Sequence, residues 1–129
     1  MSQYAILNTQ YSTLNTIFAN RMKESEIKFN ILLDEENIPF AIDWEATDAG
    51  ATNKPTKAIM LSMWDPEEKG ALRIDLWTKE MTVEEMNHFF YQTMMTMADT
   101  YERATNNKEV AVMMKEFSIG MGKKTKVIK

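Results

Sequence analysis

Residues 72–82 have the sequence LRIDLWTKEMT, in which one periodicity ends and another begins. Between residues 72 and 77 apolar and polar side chains alternate, so that Leu72, Ile74 and Leu76 share one face. Arg73 and Asp75 lie on the other face, as in a half-buried strand. The alternation therefore predicts a β-strand over residues 72–77.

A long helix is predicted directly after this strand. Thr82 and Glu85 have the spacing of a capping box, and Met81 can pack on Met86 as a hydrophobic staple. Apolar residues then recur every three or four positions, which indicates a helical face wide enough to lie on a sheet. That stripe contains Met86, Phe89, Phe90, Thr93, Met94, Met97, Ala98, Tyr101 and Ala104. We expect the strand and the helix to share one core.

Three further strands are predicted upstream. Residues 26–33 and 38–45 alternate, and Pro39 places the second strand at an edge or delays its start. Their inward residues are expected to be Ile27, Phe29, Ile31, Leu33, Ile38, Phe40, Ile42 and Trp44. After a predicted loop over residues 46–55, residues 57–64 are apolar on both faces, which is typical of a central strand covered on both sides.

A second helix is expected after the first. Asn106 and Glu109 repeat the capping-box spacing, and Gly120 and Gly122 are predicted to end the helix. The predicted fold class is α+β, a four-stranded antiparallel sheet (meander) followed by two C-terminal helices packed on one face. The opposite face, with Trp77 and one side of the third strand, would then need a second subunit or a partner.

The chain is divided into three parts. Residues 1–21 place apolar residues at helical spacing among uncharged polar ones and are interpreted as an N-terminal extension, helical or disordered. A docking helix, or a true start at Met22, are the alternatives for this segment. Residues 22–122 form the α+β domain, and residues 123–129 are expected to be a flexible basic tail.

Composition excludes several classes of function. A net charge of −4 and a pI near 5.1 argue against a nucleic-acid partner, which would require a basic face. A mean hydropathy of −0.40 argues against membrane insertion. The absence of cysteine excludes disulfides and thiolate sites, and fits a reducing compartment.

No catalytic, cofactor-binding or metal-binding residue is predicted. His88 is the single histidine, and Glu85-x-x-His88 occurs once, whereas di-iron bundles use that motif twice. The acidic residues that could form a carboxylate pair are Asp43, Glu45, Asp48 and Asp75, and a solvated strand face explains them. No serine has the sequence context of an activated nucleophile.

The candidate interface consists of apolar residues that the predicted helices leave uncovered. On the strands these are Ile59, Leu61, Met63 and Trp77, and on the first helix Tyr91 and Met95, which lie off its stripe. The chain has 12 methionines, whose flexible thioethers suit either a plastic core or a yielding partner groove.

Three segments resemble the gliding motility protein GldC family of Bacteroidota. They are residues 42–50 (IDWEATDAG), 72–79 (LRIDLWTK) and 97–105 (MADTYERAT), and the similarity extends from about Ser25 to Phe117. The resemblance implies a small cytoplasmic protein that supports gliding motility without an enzymatic activity. It also implies partners among gliding motility or associated secretion components.

Two functions of different kinds are therefore expected, and a third is weighed against them. The first is an accessory, non-enzymatic protein of the gliding machinery that acts through protein–protein interaction as a homo-oligomer. The alternative is a SecB-like chaperone or adaptor module linked to protein secretion, by analogy of fold alone. A small enzyme or metal protein would require His88 to be essential.

Overall fold

The structure is a computed structural model that describes residues 10, 13–14 and 22–129. Gln10, Thr13 and Leu14 are helical, and the other predictions for residues 1–21 fall outside the described residues. The elements are β1 (Ile27–Leu33), β2 (Pro39–Ala46), β3 (Ala51–Thr56), β4 (Ala58–Asp65), β5 (Gly70–Trp77), α1 (Val83–Thr105) and α2 (Lys108–Lys124). An α+β chain with two C-terminal helices is confirmed.

The strands form two antiparallel sheets, one of order β1-β2-β3 and one of order β4-β5. The predicted single four-stranded meander is therefore wrong. The predicted loop over residues 46–55 contains a tight turn, with Gly50 at φ +61°, followed by β3. Only Lys57 separates β3 from β4, and the chain bends there. One extended segment thus belongs to both sheets.

In the first sheet the apolar side chains of β1 and β2 share a face. Phe29 lies opposite Trp44 and Ile31 opposite Ile42, and directly opposed residues of an antiparallel pair point to the same side. β2 lies between β1 and β3, so the expected edge position is wrong. Pro39 is the first residue of β2, which confirms the delayed start. At this position its missing backbone N–H does not interrupt the hydrogen bonds in the middle of the strand.

In the second sheet β4 and β5 pair without irregularity from Ala58 opposite Trp77 to Asp65 opposite Gly70. β4 was predicted to be central and covered on both sides. Within the described chain it pairs with β5 alone, and Met63 and Trp64 are exposed. The prediction is wrong because the bend at Lys57 moves β4 out of the first sheet.

The start of α1 is as predicted. The Thr82 side chain accepts a hydrogen bond from the Glu85 N–H (3.1 Å), and the Glu85 carboxylate accepts one from the Thr82 N–H (3.0 Å). At the other end Asn106 adopts φ +57° and caps α1. Asn107 therefore caps α2, accepting from the Val110 N–H, and the capping box predicted at Asn106 is wrong by one residue.

The helices α1 and α2 form an antiparallel hairpin packed through small residues. Ala98 of α1 and Ala111 and Ser118 of α2 are buried, and the Lys115 Nζ lies 2.6 Å from the Asp99 carboxylate. α2 continues through Gly120 and Gly122, so the prediction that these glycines end it is wrong. Small side chains let the two helix backbones approach closely.

The chain after α2 turns back onto it. Lys126 adopts φ +62°, its N–H donates to the Lys123 carbonyl (3.1 Å), and the Val127 N–H donates to the Gly122 carbonyl (2.8 Å). This pair of bonds is the Schellman motif of helix C-termini. The first two residues of the predicted tail, Lys123 and Lys124, therefore belong to α2.

Candidate interaction surface

The buried core is small for a domain of this size. Its apolar members are Ile42, Ala51, Ala58, Ala98 and Ala111. Across the described residues no tryptophan, phenylalanine, leucine or methionine side chain is buried. Burying one large apolar side chain contributes about 1.5–3 kcal/mol, and a small domain needs many such contributions. Within the described residues, one isoleucine and four alanines supply little of that burial.

Large apolar side chains are instead exposed on both sheets and both helices. The exposed residues at positions 22–129 are Met22, Ile27, Ile31, Leu32, Leu33, Ile38, Phe40, Met63, Trp64, Leu72, Ile74, Trp77, Val83, Phe90, Met97, Val112, Met113 and Phe117. Single exposed apolar residues are normal, but many of them spread over both sheets and both helices are typical of a surface that another molecule covers.

A large cleft lies between the second sheet and α1, with a volume of ≈ 810 Å³. Its walls are mainly methionine, phenylalanine and tryptophan side chains. They are formed by Ala58, Ile59, Met60, Ser62, Arg73, Asp75, Leu76 and Trp77 of the sheet and by Met86, Phe89, Phe90, Thr93, Met94 and Met97 of α1. The cleft could accommodate an apolar segment of another chain.

Charged groups on the sheet side of this cleft are paired with each other. The Arg73 guanidinium donates to the Asp75 carboxylate (2.8 Å) and to the Ser62 hydroxyl. The hydrogen bond to Asp75 raises the pKa of Arg73 further above its ordinary value. Arg73 therefore stays charged over the physiological range, and its ion pair with Asp75 forms a polar edge of the cleft.

A second cleft of ≈ 400 Å³ opens between the two helices. It is lined by Met94, Met97, Val110, Met113, Met114, Phe117 and Ser118. Met94 and Met97 line both clefts, which therefore meet along α1. Methionine side chains are flexible and polarisable, so this joined surface can adapt to apolar groups of different shape.

The structure separates the six predicted interface residues. Ile59 and Leu61 lie opposite Leu76 and Ile74, and Met63 is on the same face of the sheet. Trp77 lies opposite Ala58 on the other face, where both line the cleft beside α1.

The two predicted helical residues also have separate positions. Tyr91 lies against Gly122 within the helical hairpin, and Met95 is half-buried on α1. Phe89, Phe90 and Met97 line the larger cleft, which their sequence did not indicate because their spacing predicted a core stripe. Helical spacing identifies a shared face, and nothing in it indicates whether another element covers that face.

Around the start of α1 the charges have structural roles. The Lys57 Nζ lies 2.8 Å from the Glu85 carboxylate, whose second oxygen accepts from the Thr82 N–H. The hydrogen bond to Glu85 raises the pKa of Lys57. The pKa of Glu85 is lowered, most strongly by the hydrogen bond from Lys57 and next by the one from the Thr82 N–H. Both Glu85 oxygens thus accept hydrogen bonds that hold the start of α1.

Two candidate carboxylates of the first sheet, Asp43 and Glu45, also have polar partners. Asp43 accepts from the Asn30 amide (2.7 Å), and Glu45 lies 3.7 Å from Lys28. Searching positions 10, 13–14 and 22–129 finds no cluster of three or more potential metal ligands. Over the same positions, no helix has both the length and the apolarity needed to cross a membrane.

Comparison with known proteins gives one match. A scan of protein families matches residues 39–127 to the family described as "Gliding motility-associated protein GldC-like". Searches of curated proteins and of solved structures give no match. The matched segment contains β2 to β5, both helices and therefore both clefts.

Proposed function

Because the chain belongs to the GldC-like family of gliding motility-associated proteins, we propose that it is a non-enzymatic accessory protein of the gliding machinery. It acts through protein–protein contacts in the cytoplasm, as a homo-oligomer or bound to other gliding or secretion components. The observation that supports this most strongly is the surface chemistry of the described residues. Their tryptophans, phenylalanines, leucines and methionines are all at least partly accessible.

The chemistry of the two clefts favours binding. Their walls consist mainly of thioethers, aromatic rings and aliphatic groups, which bury well against apolar partners and do not transfer protons at neutral pH. The charged side chains in the larger cleft, Arg73 and Asp75, form an ion pair with each other. A partner that fills this cleft would gain apolar burial and could keep that pair intact.

The test is a charge placed in the larger cleft by Trp77→Glu. The Trp77 side chain is 56% exposed, so the substitution should leave the protomer folded while it removes apolar contact area from the interface. We expect a lower solution mass by light scattering after gel filtration, an unchanged circular dichroism spectrum, and loss of gliding in cells that carry only this variant.

Val83→Glu is the matched control, because Val83 is 78% exposed at the start of α1 and lines neither cleft. This control should retain both assembly and gliding. An unchanged mass and normal gliding for Trp77→Glu would contradict the proposal, as would a Trp77→Glu protomer that simply unfolds.

The methionine-lined clefts also favour a second candidate, a chaperone-like module that holds apolar segments of unfolded clients. Adaptable thioether surfaces are used by proteins that bind many partners. The purified chain should then suppress aggregation of a chemically denatured client at near-equimolar ratio. Met97→Asp, at a position shared by both clefts and 51% exposed, should abolish that protection. Absence of protection by the unmodified chain would eliminate this candidate.

A further inference from the structure

We propose that two copies of this chain associate by antiparallel pairing of their β5 strands, in the register that places Ile74 opposite Ile74 of the second copy. The inference rests on the proposed function, since it specifies one protein contact through which the chain acts. It follows from three properties of β5: an unprotected edge, the direction of its backbone groups and the order of its charges.

Among the described residues the outer edge of β5 has no strand partner, and the strand lacks the proline, the lysine and the bulge that often prevent edge pairing. β5 spans eight residues, contains neither proline nor lysine and pairs regularly with β4. The edges of the first sheet differ from it. β3 contains Lys54 and Pro55, and β1 contains Lys28 and an irregular register at Leu32.

The backbone of β5 restricts the possible registers. The Thr78 N–H donates to the Lys57 carbonyl (2.8 Å), one position beyond the last pair of β4 and β5, and this bond sets which pairs of the ladder are hydrogen-bonded. Because such pairs alternate with non-hydrogen-bonded ones, the residues that direct N–H and C=O groups away from β4 are Ala71, Arg73, Asp75 and Trp77. To form hydrogen bonds, the β5 strand of a second copy must place its own Ala71, Arg73, Asp75 and Trp77 opposite these four residues.

Charge then selects among the registers that remain. If the two strands are centred on Arg73, the two arginines lie directly opposite each other, and if they are centred on Asp75, the two aspartates do. Both registers are unfavourable because like charges repel. Centring it on Ile74 places Arg73 opposite Asp75 twice, and registers shifted further leave part of the ladder unpaired. The strand is self-complementary in this one arrangement.

The same register also matches the apolar side chains. Leu72 lies opposite Leu76 of the second copy, next to the central pair of Ile74 residues. Ala71 lies opposite Trp77, so a small side chain faces a large one. The result is a four-stranded sheet, β4-β5-β5-β4, whose one face consists of aliphatic side chains from both copies.

Disulfide trapping tests the register in the full chain, which has no cysteine of its own. With Ile74→Cys, two cysteines face each other in a non-hydrogen-bonded pair, with Cα atoms about 4.5 Å apart, within disulfide range. With Leu72→Cys, the cysteines lie four residues out of register, about 14 Å apart, and cannot bridge. We expect covalent dimer from Ile74→Cys at least about tenfold faster than from Leu72→Cys under mild oxidant.

A charge cycle tests the same contact without cysteine. Arg73→Asp opposes like charges twice, so the dimer dissociation constant should rise about tenfold, and adding Asp75→Arg should restore it. Lys28→Glu on β1 changes the net charge equally and should have no effect.

The outcomes separate the inference from the proposed function. Faster trapping by Arg73→Cys or Asp75→Cys would overturn this register. A dimer in solution that Ile74→Cys does not trap, and that the charge cycle does not affect, would overturn β5 pairing and leave the proposed function standing. A chain that stays monomeric would overturn the inference, and normal gliding by Trp77→Glu would contradict the proposed function itself.

Discussion

Replacing Ile42 with alanine is expected to lower the free energy of unfolding by about 2–5 kcal/mol. Ile42 is 2% exposed and is the one large apolar side chain that is buried in the described part of the chain. It lies in the middle strand of the first sheet, opposite Ile31 on one side and Thr56 on the other. Its removal leaves a cavity that neighbouring strands cannot close. Urea unfolding followed by circular dichroism measures the loss.

Ile27→Ala is the matched control for this prediction. The substitution is identical and lies in the adjacent strand β1, but the Ile27 side chain is 66% exposed. Its effect should stay within about 0.5 kcal/mol, as for other surface positions. Equal losses from the two variants would show that Ile27 is covered in solution. A loss below about 1 kcal/mol from Ile42→Ala would contradict its place in the core.

Gly122→Ala is expected to destabilise the helical hairpin. A Cβ atom at this position would lie 2.9 Å from the Tyr91 Cδ2 and 3.1 Å from the Ile128 Cγ1. Such overpacking costs about 1–3 kcal/mol, because the Tyr91 ring would have to move away from α2. The substitution also increases helix propensity by about 1 kcal/mol, which partly offsets the cost.

Gly120→Ala separates the effect of the clash with Tyr91 from the effect of helix propensity. Gly120 lies in the same helix, and a Cβ atom added there would meet no side chain within 4 Å, so alanine brings the propensity gain alone. The two variants should therefore differ in unfolding free energy by about 1–3 kcal/mol, with Gly120→Ala the more stable. Equal stability would mean that Tyr91 does not pack on Gly122 in solution.

Local patterns predicted those parts of the fold that depend on neighbouring residues. The Thr82–Glu85 capping box is confirmed, and β5 begins two residues earlier than predicted and ends at the predicted residue. β3 was missed because its sequence, ATNKPT, has no apolar alternation and contains a proline. It is a strand because β2 offers it a partner, and pairing of this kind depends on the tertiary context.

The candidate surface was harder to predict for a related reason. Periodicity shows which side chains share a face, whereas coverage depends on where other elements lie. Met97 was assigned to a helical stripe expected to lie on a sheet, yet it is 51% exposed. The separation of Trp77 from Leu61 follows from the register of β4 against β5, which alternation within either strand does not determine.

The order of pairing has a kinetic consequence. Each strand pair, and the helical hairpin, joins elements that follow one another along the chain. Such local pairings close short loops and form in microseconds to milliseconds. In the dimer proposed above, each copy would reach its own contacts quickly and then meet the second copy by diffusion. For that dimer we expect recovery from denaturant to be limited by a second-order step, whose rate increases with protein concentration.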